Sequence, residues 1–250
     1  MNELELLIDF YRNHDLLGPG SEATTLQALD LIPDARNRSL QIADIGCGTG
    51  ASTLTLARYT RAQITAVDLF PAFLETLQRR VAHLGLQDRV TTLEKSMDDL
   101  PFAPESLDVI WSEGAIYNMG FQAGVSAWYE FLKPGGYLAV SEITWITQDR
   151  PASVAEFWQA EYPQIDTAAP KFSILEQAGY TPIGYFVLPK GDWMNHYYAP
   201  LEASFTDFLE RHGQAAEAQA LVREQQNEIR LYREYQDYYS YGFYLARKNG

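Results

Sequence analysis

The sequence predicts an α/β fold in which a mostly parallel sheet is covered on both faces by helices. Three observations carry that expectation. Short β-branched runs alternate with helical patterns from Leu40 to Glu142. The first run ends in a glycine-rich turn, Asp44-Ile45-Gly46-Cys47-Gly48-Thr49-Gly50, directly before a helical pattern. The chain of 250 residues is 46% hydrophobic and 21% charged, an ordinary globular composition able to fill a sizeable core.

The elements follow in order. Glu3–Tyr11 is apolar at helical spacing (Leu4, Leu7, Ile8, Tyr11), which predicts a short leading helix. Gly18-Pro19-Gly20 breaks the chain, and Ser21 caps a second helix through Ile32 that Pro33 closes. Leu40–Ile45 is the first strand, Ala51–Arg61 a helix and Gln63–Val67 the second strand. Pro71–Leu84 is a helix with proline in its first turn and Gly85 just past its end. Strands at Val90–Glu94 and Leu107–Trp111 come next, then a helix around Gly124–Leu132. The turn Lys133-Pro134-Gly135-Gly136 leads into a strand at Tyr137–Glu142. Right-handed crossovers put the loops after the strands on one edge, where ligands of open α/β sheets sit.

The last third differs in style. Ala152–Glu161 and Ser173–Ala178 read as helices, and Thr181–Leu188 as a strand. Ala203–Glu210 and Ala215–Tyr235 are helical, and Tyr238–Arg247 alternates like an edge strand. A tight hairpin would be the minimal link between the last two strands, so Pro189–Gln236 reads as an insertion over the sheet edge. The expectation is one domain, with 1–38 a helical lid and 39–188 the core. Residues 189–236 form a helical cap and 237–250 the final strand.

Charge and cysteine usage narrow the partners. The 33 acidic and 19 basic side chains give a net charge of −14, which disfavours nucleic acid because phosphate binding needs a basic face. Arg79-Arg80 reads more simply as a helix end complementing its dipole. Cys47 is the only cysteine, so no internal disulfide can form. The N-terminus lacks the basic and apolar regions of a signal peptide, and no apolar run approaches the roughly 20 residues of a membrane helix. A soluble, cytoplasmic protein is expected. The four histidines, at 14, 83, 196 and 212, show no paired ligand spacing, so no metal is expected.

The glycine turn carries the first chemistry. Gly46, Gly48 and Gly50 follow a strand and open a helix, the context in which a backbone passes close to a ligand. A phosphate loop would add Gly-Lys-Ser/Thr, and a dinucleotide fingerprint would read Gly-x-Gly-x-x-Gly; neither is present. The bland reading is a tight turn with no ligand. Asp68 ends the second strand, where a carboxylate can accept two hydrogen bonds from a ribose diol. Alone it is equally an N-cap for the helix near Pro71; beside the glycine turn, the ribose reading prevails.

With these residues in place the chain resembles the class I S-adenosylmethionine (SAM)-dependent methyltransferases. Four stretches match in order: Ala43–Gly50, Val67-Asp68, Ser96-Met97-Asp98-Asp99-Leu100-Pro101-Phe102, and Leu132-Lys133-Pro134-Gly135-Gly136-Tyr137-Leu138. The block Trp111–Asn118 adds a likeness to a bacterial subgroup of small-molecule methyltransferases. The resemblance implies a Rossmann-like, mostly parallel seven-stranded sheet with an antiparallel last strand, and SAM as cofactor. It places Asp44, Gly46, Cys47 and Gly48 on the methionine side, Asp68 with Leu69 at the ribose, and Met97 and Asp98 beside the adenine. The family often has an acidic residue where Ser96 stands, so the adenine contact falls to Ser96 or Asp98.

The acceptor side is less determined. Glu113 and Glu142 end strands on the ligand edge and either face the transferable methyl group or cap helix starts. Glu113 is also counted among the cofactor contacts. Aromatics crowd the expected mouth: Tyr11, Tyr117, Phe121, Trp145, Trp193 and Tyr197, although about half could be core. A loop reading of Gly191–Tyr198 suits a pocket wall. Methyl transfer needs an aligned, desolvated nucleophile, and a base only if that nucleophile is protonated. Glu113, His14 and His196 are the candidate bases, though a lone His is more often structural. Cys47 reads as a small buried residue rather than a nucleophile. The expected activity is methyl transfer to N, O or S of a small neutral or cationic molecule, with homodimerisation open. The alternatives are a non-catalytic SAM-binding protein and a nicotinamide-dependent oxidoreductase.

Overall fold

A computed structural model describes residues 2–250. Its strands are β1 (Gln41–Ile45), β2 (Gln63–Asp68), β3 (Val90–Glu94), β4 (Leu107–Glu113), β5 (Leu132–Trp145), β6 (Asp166–Thr167), β7 (Tyr180–Val187) and β8 (Tyr239–Lys248). The main order is β3-β2-β1-β4-β5-β8-β7, with β6 paired to β5 off this path. Strands β1 to β5 run parallel, while β8 lies antiparallel between β5 and β7. The order reverses between β1 and β4, which opens a crevice beyond their C-terminal ends.

The strands are apolar on both faces because both are covered. Ile42, Ile64, Val109 and Trp111 pack under α2 (Glu22–Leu29), α3 (Ala51–Tyr59) and α4 (Pro71–His83). Ala43, Ile45, Ile110 and Val140 meet α5 (Phe121–Trp128) and α7 (Ala168–Gln177). A third cluster joins α1 (Glu3–Tyr11), α8 (Ala199–Arg211) and α9 (Ala216–Tyr235) to Ile143, Trp145 and Tyr239 at the far end of the sheet. The remaining helix, α6 (Ala152–Glu161), buries Val154 in that cluster.

Three local expectations are corrected. The sheet gains β6, whose two residues are too short to leave a periodic signal. Strand β5 includes the Lys133–Gly136 turn and continues to Trp145, because β8 offers it partners as far as Tyr239. Gly191–Tyr198 is not an irregular loop: Asp192–Tyr198 forms a π-helix running into α8, with the Ala199 N–H donating to the Met194 carbonyl. The i→i+5 repeat puts Trp193 with Tyr198 and Asp192 with Tyr197 on one side, and all four are buried.

The N-terminal segment is tied across the sheet edge. Asp9 accepts from Arg211 (2.6 Å) and pairs with His212 (2.9 Å), and Tyr11 donates to Gln225 of α9 (2.8 Å). Among the described residues no helix is long and apolar enough to cross a membrane.

Candidate active site

A pocket of about 460 Å³ lies at the C-terminal ends of β1 to β4. The glycine turn, Asp68-Leu69, Ser96-Met97-Asp98 and Glu113 all line it, and Asp15–Pro19 bounds the remaining side. The volume falls within the roughly 300–1,000 Å³ usual for ligand sites.

The glycines have structural reasons of their own. Gly46 sits at φ +72°, and a Cβ there would lie 2.4 Å from the Ala115 Cβ. Gly48, at φ +54°, faces the Leu17 side chain, which a Cβ would approach to 2.8 Å. The segment before α2 therefore rests directly on the glycine turn. Thr49 pins it there by donating to the His14 carbonyl at 2.7 Å.

Asp68 holds the turn from the other side. Its carboxylate accepts from the Gly48 N–H (2.8 Å) and the Phe70 N–H (3.0 Å), one oxygen each. The residue thus combines a helix-start bond with a clamp on the glycine turn, and each oxygen keeps a further acceptor site. Burial raises its pKa against the help of those N–H donors. Asp44 is fully buried; one oxygen accepts from Ser52 and Thr53, and the other has no hydrogen-bond partner. Burial pushes its pKa up to about 6. Asp44 does not itself line the pocket; its charge lies buried beneath the glycine turn, where it favours a cation on the pocket side.

Glu113 accepts through one oxygen from Trp111 Nε1 (2.7 Å) and Thr25 Oγ1 (2.8 Å). Burial raises its pKa to about 7 despite those bonds, with Asp44 and Asp192 adding to the rise. On the opposite wall, Trp128 Nε1 donates to the Met97 carbonyl at 3.0 Å and fixes the Ser96–Asp98 loop. Ser96 is half-buried and Asp98 exposed.

Some of the expected site residues lie elsewhere. His14 contributes its backbone carbonyl; its ring packs on Phe10 and faces Ser204 Oγ at 3.2 Å. Burial lowers its pKa. His196 is exposed on the outer side of the π-helix. Trp145 is buried in β5 against Tyr239, and Trp193 stacks on Tyr232 at 4.3 Å and donates to Ser240. Both tryptophans are core, since neither ring borders the pocket. Phe121 is likewise fully buried. Tyr117 lines the pocket, whereas Tyr11 and Tyr197 join hydroxyls at 3.1 Å under the helical cap. Glu142 caps no helix: it is buried and paired with Lys171 at 2.9 Å.

Sequence reasoning missed Leu16 and Leu17, which close the pocket from the N-terminal segment, and Thr25, which donates to Glu113 behind it. The Gly18-Pro19-Gly20 break was the available signal. It also missed Lys171, which lies in a helix with no outward sign of its buried partner.

Comparison with known proteins agrees with this geometry. Residues 42–136 match a family model described as a methyltransferase domain. Dimethylglycine N-methyltransferase of Parasynechococcus marenigrum is 29% identical over 53% of this chain and 48% of its own length. Erythromycin 3''-O-methyltransferase of Saccharopolyspora erythraea is 33% identical over 45% of this chain and 38% of its own. These matches span half or less of the curated relatives. Across the whole fold, YjhP of Escherichia coli superposes with a TM-score of 0.84 at 20% identity, covering 98% of this chain and all of its own. A SAM-dependent methyltransferase from Geobacter sulfurreducens, solved with S-adenosylhomocysteine, gives 0.82 at 20% identity, covering 97% of both chains. The family match over residues 42–136 and the strand order together give the chain the Rossmann-like fold of SAM-dependent methyltransferases.

Proposed function

We propose that the chain transfers a methyl group from SAM to a small molecule. One observation carries the reading: the glycine turn, Asp68, the Ser96–Asp98 loop and Glu113 surround a single cavity at the sheet's switch point. SAM supplies a methyl group already activated on a sulfonium. The protein's work is to bind, orient and exclude water.

Each pocket residue has a role in this reading. Gly46–Gly48, backed by the buried carboxylate of Asp44, receive the methionine part, and Asp68 with Leu69 receives the ribose. Ser96, Met97 and Asp98 receive the adenine, with Ser96 the more enclosed polar group. Glu113 stands between cofactor and lid. Its raised pKa lets it hold or release a proton near neutrality.

A small-molecule acceptor agrees with the relatives, whose names specify dimethylglycine and erythromycin as their own substrates. Among the candidate bases, Glu113 is favoured over His14 and His196 because it alone lines the pocket. The lone, buried Cys47 favours a reducing, cytoplasmic setting. Incubation with methyl-labelled SAM and a metabolite extract tests the reading. Label in a small molecule supports it, and label confined to RNA or protein overturns it.

A further inference from the structure

Behind Gly114, tyrosines from separate parts of the chain gather around one carboxylate. Glu228, on the inner flank of α9, accepts from Tyr198 at 2.9 Å through one oxygen. Its other oxygen has no hydrogen bond among the described residues, and the side chain keeps some accessible surface. Tyr197 packs on Tyr198 with ring centroids 4.9 Å apart and joins hydroxyls with Tyr11 at 3.1 Å, so the rings close on Glu228 from one side. The charge of Glu228 adds to burial in raising the phenols of Tyr11, Tyr117, Tyr197 and Tyr241. These residues come from α1, the segment after β4, the π-helix and β8.

The group adjoins the cofactor pocket. The Tyr241 ring lies 3.3 Å from where a Cβ on Gly114 would stand, so the glycine lets the ring reach the pocket wall. Tyr117 lines that pocket and keeps 42% of its surface accessible.

The electrostatics of this cluster are one-sided. Glu142 is fully buried; one oxygen pairs with Lys171 and the other has no hydrogen-bond partner. Its charge also raises Tyr117 and Tyr241. Lys171 is the neighbouring cation, and it is spent on Glu142, on the Gln164 carbonyl at 2.9 Å and on the Phe121 ring face. Ring faces and uncompensated carboxylates attract a cation and repel an anion.

We propose that this cluster bounds the acceptor site beside the cofactor pocket and that the site takes a small organic amine, bound as its cation, with Glu228 as the counter-charge. The proposal rests on the methyltransferase reading above. In the transfer, the ammonium first gives its proton to Glu228, which burial holds above the ordinary carboxylate range and so suits to take it. The nitrogen lone pair then forms the C–N bond as the C–S bond breaks, and the bonding pair stays on sulfur. The product nitrogen carries the positive charge, and Glu228 returns its proton to solvent.

Calorimetry with isosteric probes tests the site, with and without saturating S-adenosylhomocysteine. Tetramethylammonium is compared with 3,3-dimethylbutanol and with pivalate. The expected result is binding of tetramethylammonium about tenfold tighter than the alcohol, with no binding of pivalate. Glu228→Gln and Tyr117→Leu should each weaken the cation several-fold, and with Glu228→Gln the S-adenosylhomocysteine affinity stays within about twofold. Tyr117 is half-exposed, so its variant keeps the test alive should the Glu228 variant fail to fold. Equal or tighter binding of the alcohol or pivalate, or a cation affinity indifferent to both substitutions, overturns the proposal. Failure of S-adenosylhomocysteine to bind overturns the cofactor reading instead, while the cation measurement still decides the acceptor site.

Discussion

Thr25 Oγ1 donates to Glu113 Oε1 at 2.8 Å, joining helix α2 to the end of β4 beside the pocket. The bond links the position of α2 to the charge of a pocket carboxylate. Thr25→Val removes it while keeping the shape. The expected cost is about 1 kcal/mol of stability, read by urea denaturation. Losing this donor also moves the titration of Glu113 further upward, visible in the pH dependence of ligand binding.

That pH dependence has a definite sign. Glu113 and Asp44 titrate near 7 and 6 in the free protein, well above ordinary carboxylates. A cationic ligand favours their ionised forms, so affinity for SAM should rise with pH through this range and level off above it. Proton release, read by calorimetry in buffers of different ionisation enthalpy, should accompany binding at pH 6 and vanish at pH 8. For the free protein the sign is opposite: these groups hold protons when folded that they lose when unfolded. Their contribution to stability therefore falls as pH rises from about 4 to about 7.

Asp68 binds the Gly48 and Phe70 N–H groups with separate oxygens. Asn offers one acceptor and turns an NH₂ toward the other donor. Asp68→Asn should cost about 1–3 kcal/mol of stability and at least about tenfold in S-adenosylhomocysteine affinity. An unchanged affinity would show that the carboxylate serves only the turn.

The buried Glu142–Lys171 pair, both side chains at 1% exposure or less, should respond asymmetrically. Lys171→Met strands a buried carboxylate and should cost about 3–5 kcal/mol. Adding Glu142→Gln to that variant should recover much of the loss, as a double-mutant cycle in denaturant would show.

The sequence made the sheet and most of the residues that line the pocket legible because both depend on local patterns. Strand periodicity, the glycine turn and Asp68 are each readable within a few residues. The acceptor side depends on long-range partners. Trp145 and Trp193 look like pocket aromatics until β8 and α9 cover them, and His196 looks poised until the π-helix turns it outward. The five-residue spacing of the buried pairs in Asp192–Tyr198 was visible, but a π repeat is too rare to be a natural reading. Glu228 sits in a charged helix where only the fold distinguishes an inward carboxylate from a solvated one.

His196→Ala should accordingly leave methyl transfer within about twofold, as an exposed side chain away from the pocket. A large loss of kcat would return it to the mechanism as a base.

The cofactor assignment is tested most directly by titrating the purified chain with S-adenosylhomocysteine and, separately, with NAD. The account predicts saturable binding of S-adenosylhomocysteine at a stoichiometry of one per chain, weakened by Asp68→Asn, and no binding of NAD. Binding of NAD in preference to S-adenosylhomocysteine, or of neither, would contradict it.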